Sequence, residues 1–431
     1  MRVLWLCNIM LPAIARELGM AASNKEGWLT GLAGQLIQKT QENHIELGIC
    51  FPVGKGGVPV QGTADGIRFF GFAEDTGHPE RYDKGLENRL MPILEEYQPD
   101  IVHIFGTEFP HTLAMTRCVK NKGRILIGIQ GICSKIADSY TADLPKAVVR
   151  RFLIRDILRW DNIAQQQKKF VKRGKMETEA LCNAGHVTGR TAWDREAAAF
   201  LAPAAVYHPM NETLRPEFYG AKWRLSECEK YSVFVSQGNY PVKGLHYLLS
   251  ALPDILKQFP QTKVYVAGDE ITRYGTLKEK IKIGSYGKYC LKLIKDAGLA
   301  EKVIFLGRLN SEEMRERYRK SHVYLSASSI ENSSNSVGEA MLLGMPAVSS
   351  AVGGIPSMLE HEKEGLLYPP GDKDALVSCI CRMFADDAFA VSCGENAASR
   401  AAVTHDPAAN YRRLIEIYNK IAEQPRTACK I

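Results

Sequence analysis

The sequence predicts an α/β protein with two Rossmann-like, doubly wound parallel-sheet domains that face each other across a cleft. Two observations support this fold class. Short apolar runs alternate with amphipathic helical stretches along the chain, and 431 residues are enough for at least two domains. We expect residues 1–210 to form the N-terminal domain and residues 211–395 to form the C-terminal domain. Residues 396–431 should form a C-terminal helix that could cross back to the first domain.

The first half of the chain contains apolar runs that are typical of buried strands. They are Val3–Cys7, Ile45–Phe51, Ile101–Phe105 and Ile125–Ile129. Helical patterns separate them, for instance Trp28–Gln41 and Tyr82–Tyr97. Because strands and helices alternate, the sheet should be parallel and covered on both faces.

A second set of alternating elements follows the turn-rich stretch 208–220. Its predicted strands are Ser232–Ser236, Lys263–Ala267, Val303–Leu306, Val323–Ser326 and Ala347–Ser349. Its predicted helices include Leu245–Phe259, Glu312–Ser321 and Val337–Leu343, with a last helix at Ala408–Ala422. Ligands of doubly wound sheets bind at the carboxyl ends of the strands, so we expect the site there.

Composition excludes several classes of protein. The 11 cysteines lack CxxC spacing, which favours free thiols in a reducing compartment over a disulfide framework or a zinc site. No apolar run is long enough to span a membrane, and we predict a cytoplasmic protein. No G-x-G-x-x-G motif follows a predicted strand, which argues against a dinucleotide oxidoreductase.

The net charge of +7 is concentrated in residues 145–175, which contain ten basic and two acidic residues. Apolar residues such as Phe152, Ile157 and Trp160 lie among the arginines. Such a segment is either a solvated helical face or a surface that rests on anionic lipid headgroups. Because the basic excess is confined to one segment without a recognition motif, nucleic-acid binding is not expected.

Residues 331–339, ENSSNSVGE, indicate a site for a sugar nucleotide. The small polar residues between Glu331 and Glu339 predict a helix N-terminus, whose free N–H groups bind anions. The two carboxylates could bind hydroxyl groups beside a phosphate. Alternatively, Ser336 caps the helix and Glu339 closes a capping box.

Two further segments fit the same ligand. Lys243 and Gly244 follow a predicted strand and open a helix, where a lysine suits a diphosphate, although it could be an ordinary loop lysine. Gly353 and Gly354 allow close backbone approach to a ligand, or form a simple loop.

Together these segments resemble the retaining GT-B glycosyltransferases of family four, also called glycosyl transferases group 1. The resemblance rests on Glu331-x7-Glu339 and on the blocks KGLHYLLSALPDIL, VIFLGRLNSEEMRERYRKSHVYLSAS, GEAMLLGMPAVSSAVGGIPSML and GLLYPPGD. It covers residues 230–385 well and the N-terminal half loosely.

The resemblance implies specific roles for residues of the second half. Glu339 should hold the ribose hydroxyls, Glu331 should lie beside the transferred sugar, and Lys243 should neutralise the leaving diphosphate. Backbone N–H groups around Asn335, Ser336 and Val337 should meet phosphate or sugar oxygens.

The sequence departs from the family pattern at several positions. Gly238 replaces an arginine of the family, for which Arg308 or Arg190 could substitute, and Ser357 replaces a glutamate. Gln130 stands where the family often has a histidine, and glutamine cannot act as a base near neutral pH.

The first half contributes the other candidates. Gly27 and Gly31 lie where the family has a glycine-rich turn that approaches the donor phosphate, or else they follow an ordinary helix cap at Asn24. Gln130, Glu108 and His103 are candidate acceptor-binding residues, although His103 is more typical of a satisfied strand histidine.

The resemblance implies a metal-independent, cofactor-free enzyme that transfers a hexose, with retention, from a nucleoside-diphosphate sugar. The acceptor would be a glycan or a lipid-linked molecule in surface polysaccharide synthesis, reached from the inner face of the cytoplasmic membrane. The alternatives are a nucleotide-sugar epimerase or a pyridoxal-dependent phosphorylase on the same fold, and a non-catalytic nucleotide-sugar binding protein.

Overall fold

The computed structural model of the chain describes residues 1–20 and 27–423. It divides into two compact units. The first unit comprises Met1–Lys135, Lys169–Arg215 and His405–Ile431, and the second comprises Ile136–Lys168 and Pro216–Thr404. Residues 136–168, placed by sequence in the N-terminal domain, thus belong to the second unit. The C-terminal helix belongs to the first.

Strands and helices alternate along most of the chain. The strands are β1 (Arg2–Leu6), β2 (Glu46–Pro52), β3 (Val60–Ala64), β4 (Ile67–Phe72), β5 (Ile101–Phe105), β6 (Ile125–Gly128), β7 (His186–Gly189), β8 (Val206–Pro209), β9 (Glu229–Val235), β10 (Lys263–Ala267), β11 (Val303–Gly307), β12 (Ser321–Ser326), β13 (Ala347–Ser350) and β14 (Leu366–Tyr368). The helices are α1 (Pro12–Glu17), α2 (Gly27–Gln38), α3 (Thr40–Asn43), α4 (Gly85–Tyr97), α5 (Pro110–Cys118), α6 (Cys133–Ser139), α7 (Lys146–Val149), α8 (Ile154–Arg159), α9 (Ile163–Cys182), α10 (Ala192–Leu201), α11 (Leu245–Gln258), α12 (Leu277–Lys282), α13 (Ser285–Asp296), α14 (Ser311–Arg319), α15 (Asn335–Leu343), α16 (Ile355–Met358), α17 (Lys373–Ala385), α18 (Asp387–Thr404) and α19 (Pro407–Ala422).

The first unit contains a sheet of order β3-β4-β2-β1-β5-β6-β7-β8. All strand pairs are parallel except β3 with β4. The expectation of a purely parallel sheet is therefore wrong at this edge. The reason is a hairpin at Asp65-Gly66, where both residues have positive φ, as the twist of a two-residue turn requires.

Helix α19 contributes to the core of the first unit. Tyr418 is fully buried, and its hydroxyl accepts a hydrogen bond from Trp5 Nε1 at 2.8 Å. This bond ties the end of the chain to β1, the central strand of the sheet. The assignment of the last helix, which the sequence left open between the domains, is thus decided by a contact with β1.

The second unit contains a six-stranded parallel sheet of order β11-β10-β9-β12-β13-β14. This is the strand order of a doubly wound nucleotide-binding fold. The chain leaves β9 toward β10 on one side and reaches β12 on the other, so the topological switch point lies between β9 and β12. A ligand is expected in the crevice at the carboxyl ends of these two strands.

Three properties of the described residues bear on the predicted protein class. The ten cysteines in this part of the chain are free. No helix among residues 1–20 and 27–423 is long and apolar enough to cross a membrane. The same residues contain no group of three or more His, Cys, Asp or Glu side chains placed to hold a metal ion.

Candidate functional site

The loop that carries Lys243 leaves β9 at the topological switch point. After Val235 the chain forms a short 3-10 turn over Pro241–Lys243 and then enters α11. Gly244 has a φ of +69°, and a Cβ on it would lie 1.8 Å from the carbonyl oxygen of Ala327. Only glycine fits there, so this close packing holds the Lys243 loop against the loop that follows β12.

Glu331 lies in the loop that follows β12, on the other side of the switch point. Its Oε1 accepts a hydrogen bond from Lys243 Nζ at 2.5 Å and another from Ser328 Oγ at 2.7 Å. The fold therefore brings together two residues that are 88 positions apart in sequence. The resemblance predicted both as donor-site residues but did not predict that they bond to each other.

The electrostatics of this pair keep the lysine charged. The two side chains are only 20% and 12% exposed. Burial by itself would lower the pKa of Lys243, but the adjacent Glu331 carboxylate more than compensates and raises this pKa above its usual value. A partly buried ammonium group is thus fixed at the carboxyl end of β9.

Helix α15 begins beside this pair, as the sequence predicted, but its cap differs from the predicted one. Ser334, not Ser336, is the N-cap, and its hydroxyl accepts a hydrogen bond from Val337 N–H at 3.4 Å. The capping box of Ser336 with Glu339 is therefore wrong. The helix starts two residues earlier, which moves Glu339 into the second turn, beyond reach of the cap.

The predicted donor residues on α15 fall into two environments. Asn335 and Ser336 form the first turn, and Ser336 lines a cavity of about 20 Å³ together with Lys243, Glu331 and Ser334. Glu339 is 4% exposed and interacts with other residues of the chain. Its role as a ribose ligand remains a prediction.

Gly353 and Gly354, which follow β13, pack against the backbone of Glu331. Gly353 has a φ of +52°, and Gly354 N–H donates to the carbonyl oxygen of Glu331 at 3.0 Å. A Cβ on Gly353 would lie 1.9 Å from the same oxygen. The glycine pair thus packs closely on the Glu331 backbone, and the approach to a ligand that the sequence suggested stays a prediction.

Gly238 and Arg308 mark the departures from the family pattern. A Cβ on Gly238 would lie 3.0 Å from side-chain atoms of both Leu245 and Val266, so a larger residue would displace one of them. Arg308 is 81% exposed and forms a bidentate ion pair with Asp269, both contacts at 2.8 Å. Arg308 does not line the cavity around Lys243, so the structure does not bring it to the place of the missing arginine.

In the first unit, Gln130 belongs to a polar cluster at the carboxyl end of β6. Its Nε2 donates to Glu212 Oε1 at 2.5 Å, and Arg190 Nη1 pairs with Glu212 Oε2 at 2.5 Å. Arg190 is therefore paired with a carboxylate of the first unit. Its partner Glu212, which the sequence did not single out, lies only three residues after β8.

His103 lies inside β5 and is fully buried. The Tyr418 hydroxyl, which accepts a hydrogen bond from Trp5, also forms a hydrogen bond with His103 Nδ1 at 2.7 Å. Burial lowers the pKa of His103 to about 3, and the ring is neutral at physiological pH. These features fit a structural histidine, although it also lines a small cavity with Gln130.

Glu108 follows β5 at its carboxyl end. Burial raises the pKa of its carboxyl group, and Oε2 has no hydrogen-bond partner in the part of the chain that is described. Arg173 Nε donates to its backbone carbonyl at 2.9 Å. Glu108 thus keeps one unused buried acceptor, which leaves an acceptor-binding role open.

The predicted glycine-rich turn of the first unit is described only in part. Gly27 and Gly31 lie in α2, and Gly27 is its first residue. The alternative N-cap, Asn24, lies outside the described residues.

A buried histidine cluster of the first unit escaped the sequence analysis. His111, near the start of α5, contacts Glu74 Oε2 through Nδ1 at 2.5 Å and Asn8 Oδ1 through Nε2 at 2.8 Å. Asn8 and His111 follow β1 and β5, the two strands at the switch point of this sheet. The sequence feature that could have identified these two residues is their position after adjacent strands. Because both ring nitrogens are engaged, His111 fits an organising role.

Comparisons with known proteins support the interpretation of the second unit. Residues 217–400 match the family model of glycosyl transferases group 1. An uncharacterized glycosyltransferase of Methanocaldococcus jannaschii is 30% identical over 165 residues, which are 38% of each chain. A glycosyltransferase of amylovoran biosynthesis from Erwinia amylovora is 24% identical over 353 residues, covering 80% of this chain and 77% of that protein.

Solved structures extend the similarity to the fold of nearly the whole chain. Sucrose-phosphate synthase of Thermosynechococcus elongatus superposes with a TM-score of 0.70 at 17% identity, covering 97% of this chain and 98% of the other. Anabaena HepE, solved in complex with UDP-glucose, has a TM-score of 0.64 at 16% identity, with coverage of 97% and 100%. Residues 217–400 therefore resemble a glycosyl transferases group 1 domain, and the two units of the chain have the GT-B fold.

Proposed function

We propose that the chain is a retaining, metal-independent glycosyltransferase that moves a hexose from a nucleoside-diphosphate sugar to a glycan or lipid-linked acceptor. One observation carries the proposal. Lys243 and Glu331 form a partly buried ion pair at the switch point of a nucleotide-binding sheet, beside the N-terminus of α15.

The positive groups of this site match the charge that develops in the reaction. When the bond between sugar and diphosphate breaks, negative charge accumulates on the leaving phosphate oxygens. The Lys243 ammonium and the positive end of the α15 helix dipole supply positive charge at fixed positions. Because protein groups provide this charge, we propose that the reaction needs no metal ion and no cofactor.

We propose that Glu331 binds the transferred sugar and that Glu339 binds the ribose. The Glu331 carboxylate already orients Lys243 and accepts from Ser328, and we propose that it also accepts hydrogen bonds from hydroxyls of the transferred sugar. Glu339 would hold ribose hydroxyls.

Two relatives support the choice of a donor to test and the proposed biological role. HepE was solved with UDP-glucose, so this donor is the first to test. The Erwinia relative acts in amylovoran biosynthesis, which supports a role in surface polysaccharide synthesis.

A donor screen followed by product analysis tests the proposal. Thermal shift with a panel of nucleotide sugars should show stabilisation by the true donor, because a ligand of the native state raises its stability by mass action. Release of nucleoside diphosphate in the presence of a chelator, with retained anomeric configuration by NMR, is the expected result.

The alternatives give different products. A donor-dependent shift without any turnover would indicate a nucleotide-sugar binding protein. Conversion of the donor to an isomeric nucleotide sugar, without release of diphosphate, would indicate an epimerase. Activity that disappears with the chelator would overturn metal independence.

A further inference from the structure

Large apolar side chains of the second unit are exposed on and around α8. Leu158 is 77% exposed, Trp160 63%, Ile157 60% and Ile154 56%. Phe152, 41% exposed, lies with its ring centroid 5.7 Å from that of Trp160. Single exposed apolar residues are common, but a contiguous patch of this kind marks an interaction surface.

A second helix, distant in sequence, joins this patch. Helix α12 packs beside α8 and exposes Leu277, at 76%, and Ile281, at 37%. The two residues are four positions apart and so lie on one helix face. Ser285, the first residue of α13, lies three positions after the end of α12, and its hydroxyl donates to Asp156 Oδ2 of α8 at 2.7 Å.

We define the α8–α12 surface as these seven apolar residues and the exposed cations around them. The cations are Arg150, Arg159, Lys278, Lys280 and Lys282, and none of them has a carboxylate partner among residues 1–20 and 27–423. The nearby acids are engaged elsewhere. Asp156 is buried, Asp161 pairs with Arg155, and Glu279 accepts from N–H groups at the start of α12.

We propose that the α8–α12 surface docks onto an anionic lipid bilayer. The apolar side chains would enter the interfacial region, while the surrounding lysines and arginines would meet the headgroup phosphates. Charge argues against a second copy of this chain as the occupant. Two copies joined through this surface would bring like-charged rims together, whereas an anionic membrane complements them.

The surface borders a cavity of the second unit that has a volume of about 620 Å³. Arg155 of α8 and Lys278 and Lys282 of α12 line it, and its lining extends to Asn239–Pro241, directly before Lys243. A molecule anchored in the bilayer would therefore reach the cavity beside the docked helices. This part of the inference rests on the proposed function and makes the acceptor a membrane-borne molecule.

Flotation with vesicles tests the docking. The full chain should float with phosphatidylglycerol-containing vesicles at low salt, and much less with pure phosphatidylcholine vesicles or at high salt. The double variant Leu158→Glu/Trp160→Glu should bind the anionic vesicles at least about tenfold more weakly. Lys278→Glu/Lys282→Glu should weaken binding similarly, although its residues belong to a separate part of the sequence.

Matched controls carry the same change at exposed apolar positions elsewhere. Phe200→Glu and Val403→Glu, at residues 82% and 77% exposed, should leave flotation unchanged. Absence of flotation by the unmodified chain, or equal binding by the α8 double variant and these controls, would overturn the proposal. A dimer in light scattering that Leu158→Glu/Trp160→Glu dissociates, without vesicle binding, would also overturn it.

Donor binding is measured separately, without vesicles, by thermal shift. The α8 double variant should keep the donor response of the unmodified chain, which shows that its fold and donor site are intact. Vesicle binding by a chain that responds to no nucleotide sugar would support the docking and contradict the proposed function.

Discussion

Gly353 packs directly on Glu331, and a Cβ at position 353 would lie 1.9 Å from the Glu331 carbonyl oxygen. The φ of Gly353 is +52°, a conformation that residues with a side chain rarely adopt. The glycine pair after β13 therefore sets the position of the carboxylate that holds Lys243. A residue 22 positions away in sequence thus belongs to the structural support of the site.

Gly353→Ala should destabilise the protein and lower activity. The strained φ alone costs about 1 kcal/mol, and the contact with the Glu331 carbonyl adds to it by forcing the loop to move. Gly268→Ala is the control, since Gly268 also has positive φ, +98°, but open space around its Cβ position. Chemical unfolding of both variants separates the contact from the conformational strain, and equal losses of stability would contradict the contact.

Lys243→Met should reduce turnover on the order of 100-fold or more, because it removes a fixed positive charge from the leaving diphosphate. It also leaves the Glu331 carboxylate, 12% exposed, without its ammonium partner. Steady-state kinetics with the donor found in the screen would measure the effect. Lys263→Met is the control, since Lys263 pairs with Glu229 at an exposed position of the same unit. A Lys243→Met enzyme with normal turnover would exclude the proposed role.

Glu339→Ala should lower donor affinity roughly 10- to 150-fold if the carboxylate holds ribose hydroxyls, corresponding to about 1.5–3 kcal/mol of charge-assisted hydrogen bonding. Calorimetric titration of the folded variant with donor measures this. Ser334→Ala is the comparison, because Ser334 is the N-cap of the same helix. It should cost about 1 kcal/mol of stability. Unchanged donor affinity in Glu339→Ala would remove the residue from the donor site.

Acid should destabilise the protein between about pH 6.5 and pH 4. Burial lowers the pKa of His103 to about 3 and those of His208, His246 and His322 to about 4. As pH falls below 6.5, the unfolded chain binds protons that the native histidines do not, so the free energy of unfolding decreases. Each histidine contributes about 1 to 2 kcal/mol of this loss between pH 7 and pH 5.

Denaturant unfolding at pH 7 and pH 5 measures the effect. His103→Gln should reduce the difference between the two pH values, because glutamine does not titrate in this range. Glu177 has the opposite effect on stability. Burial raises the pKa of its carboxyl group to about 7, so its protonation stabilises the native state as the pH falls below 7. A variant whose pH dependence matches that of the unmodified protein would contradict the assignment for His103.

Much of the architecture was predictable because strands and helices have different periods in sequence. The predicted strand Lys263–Ala267 coincides with β10, and Leu245–Phe259 differs from α11 by one residue. The hairpin of β3 and β4 was missed although Asp65-Gly66 is a turn signal. The cap of α15 was misplaced because two serines, 334 and 336, both fit the start of a helix.

The sequence alone determined the order of elements and the residue types at the candidate donor site. The order of elements depends on local periodicity. The residue types depend on Glu331, Glu339 and Lys243, which lie in sequence blocks that resemble the family. Tertiary structure decided which residues meet. The ion pair of Lys243 with Glu331 and the joining of α8 to α12 depend on strand order and helix packing, which bring distant segments together. No local pattern contains that information, because contacts between distant segments are set by how the whole sheet assembles.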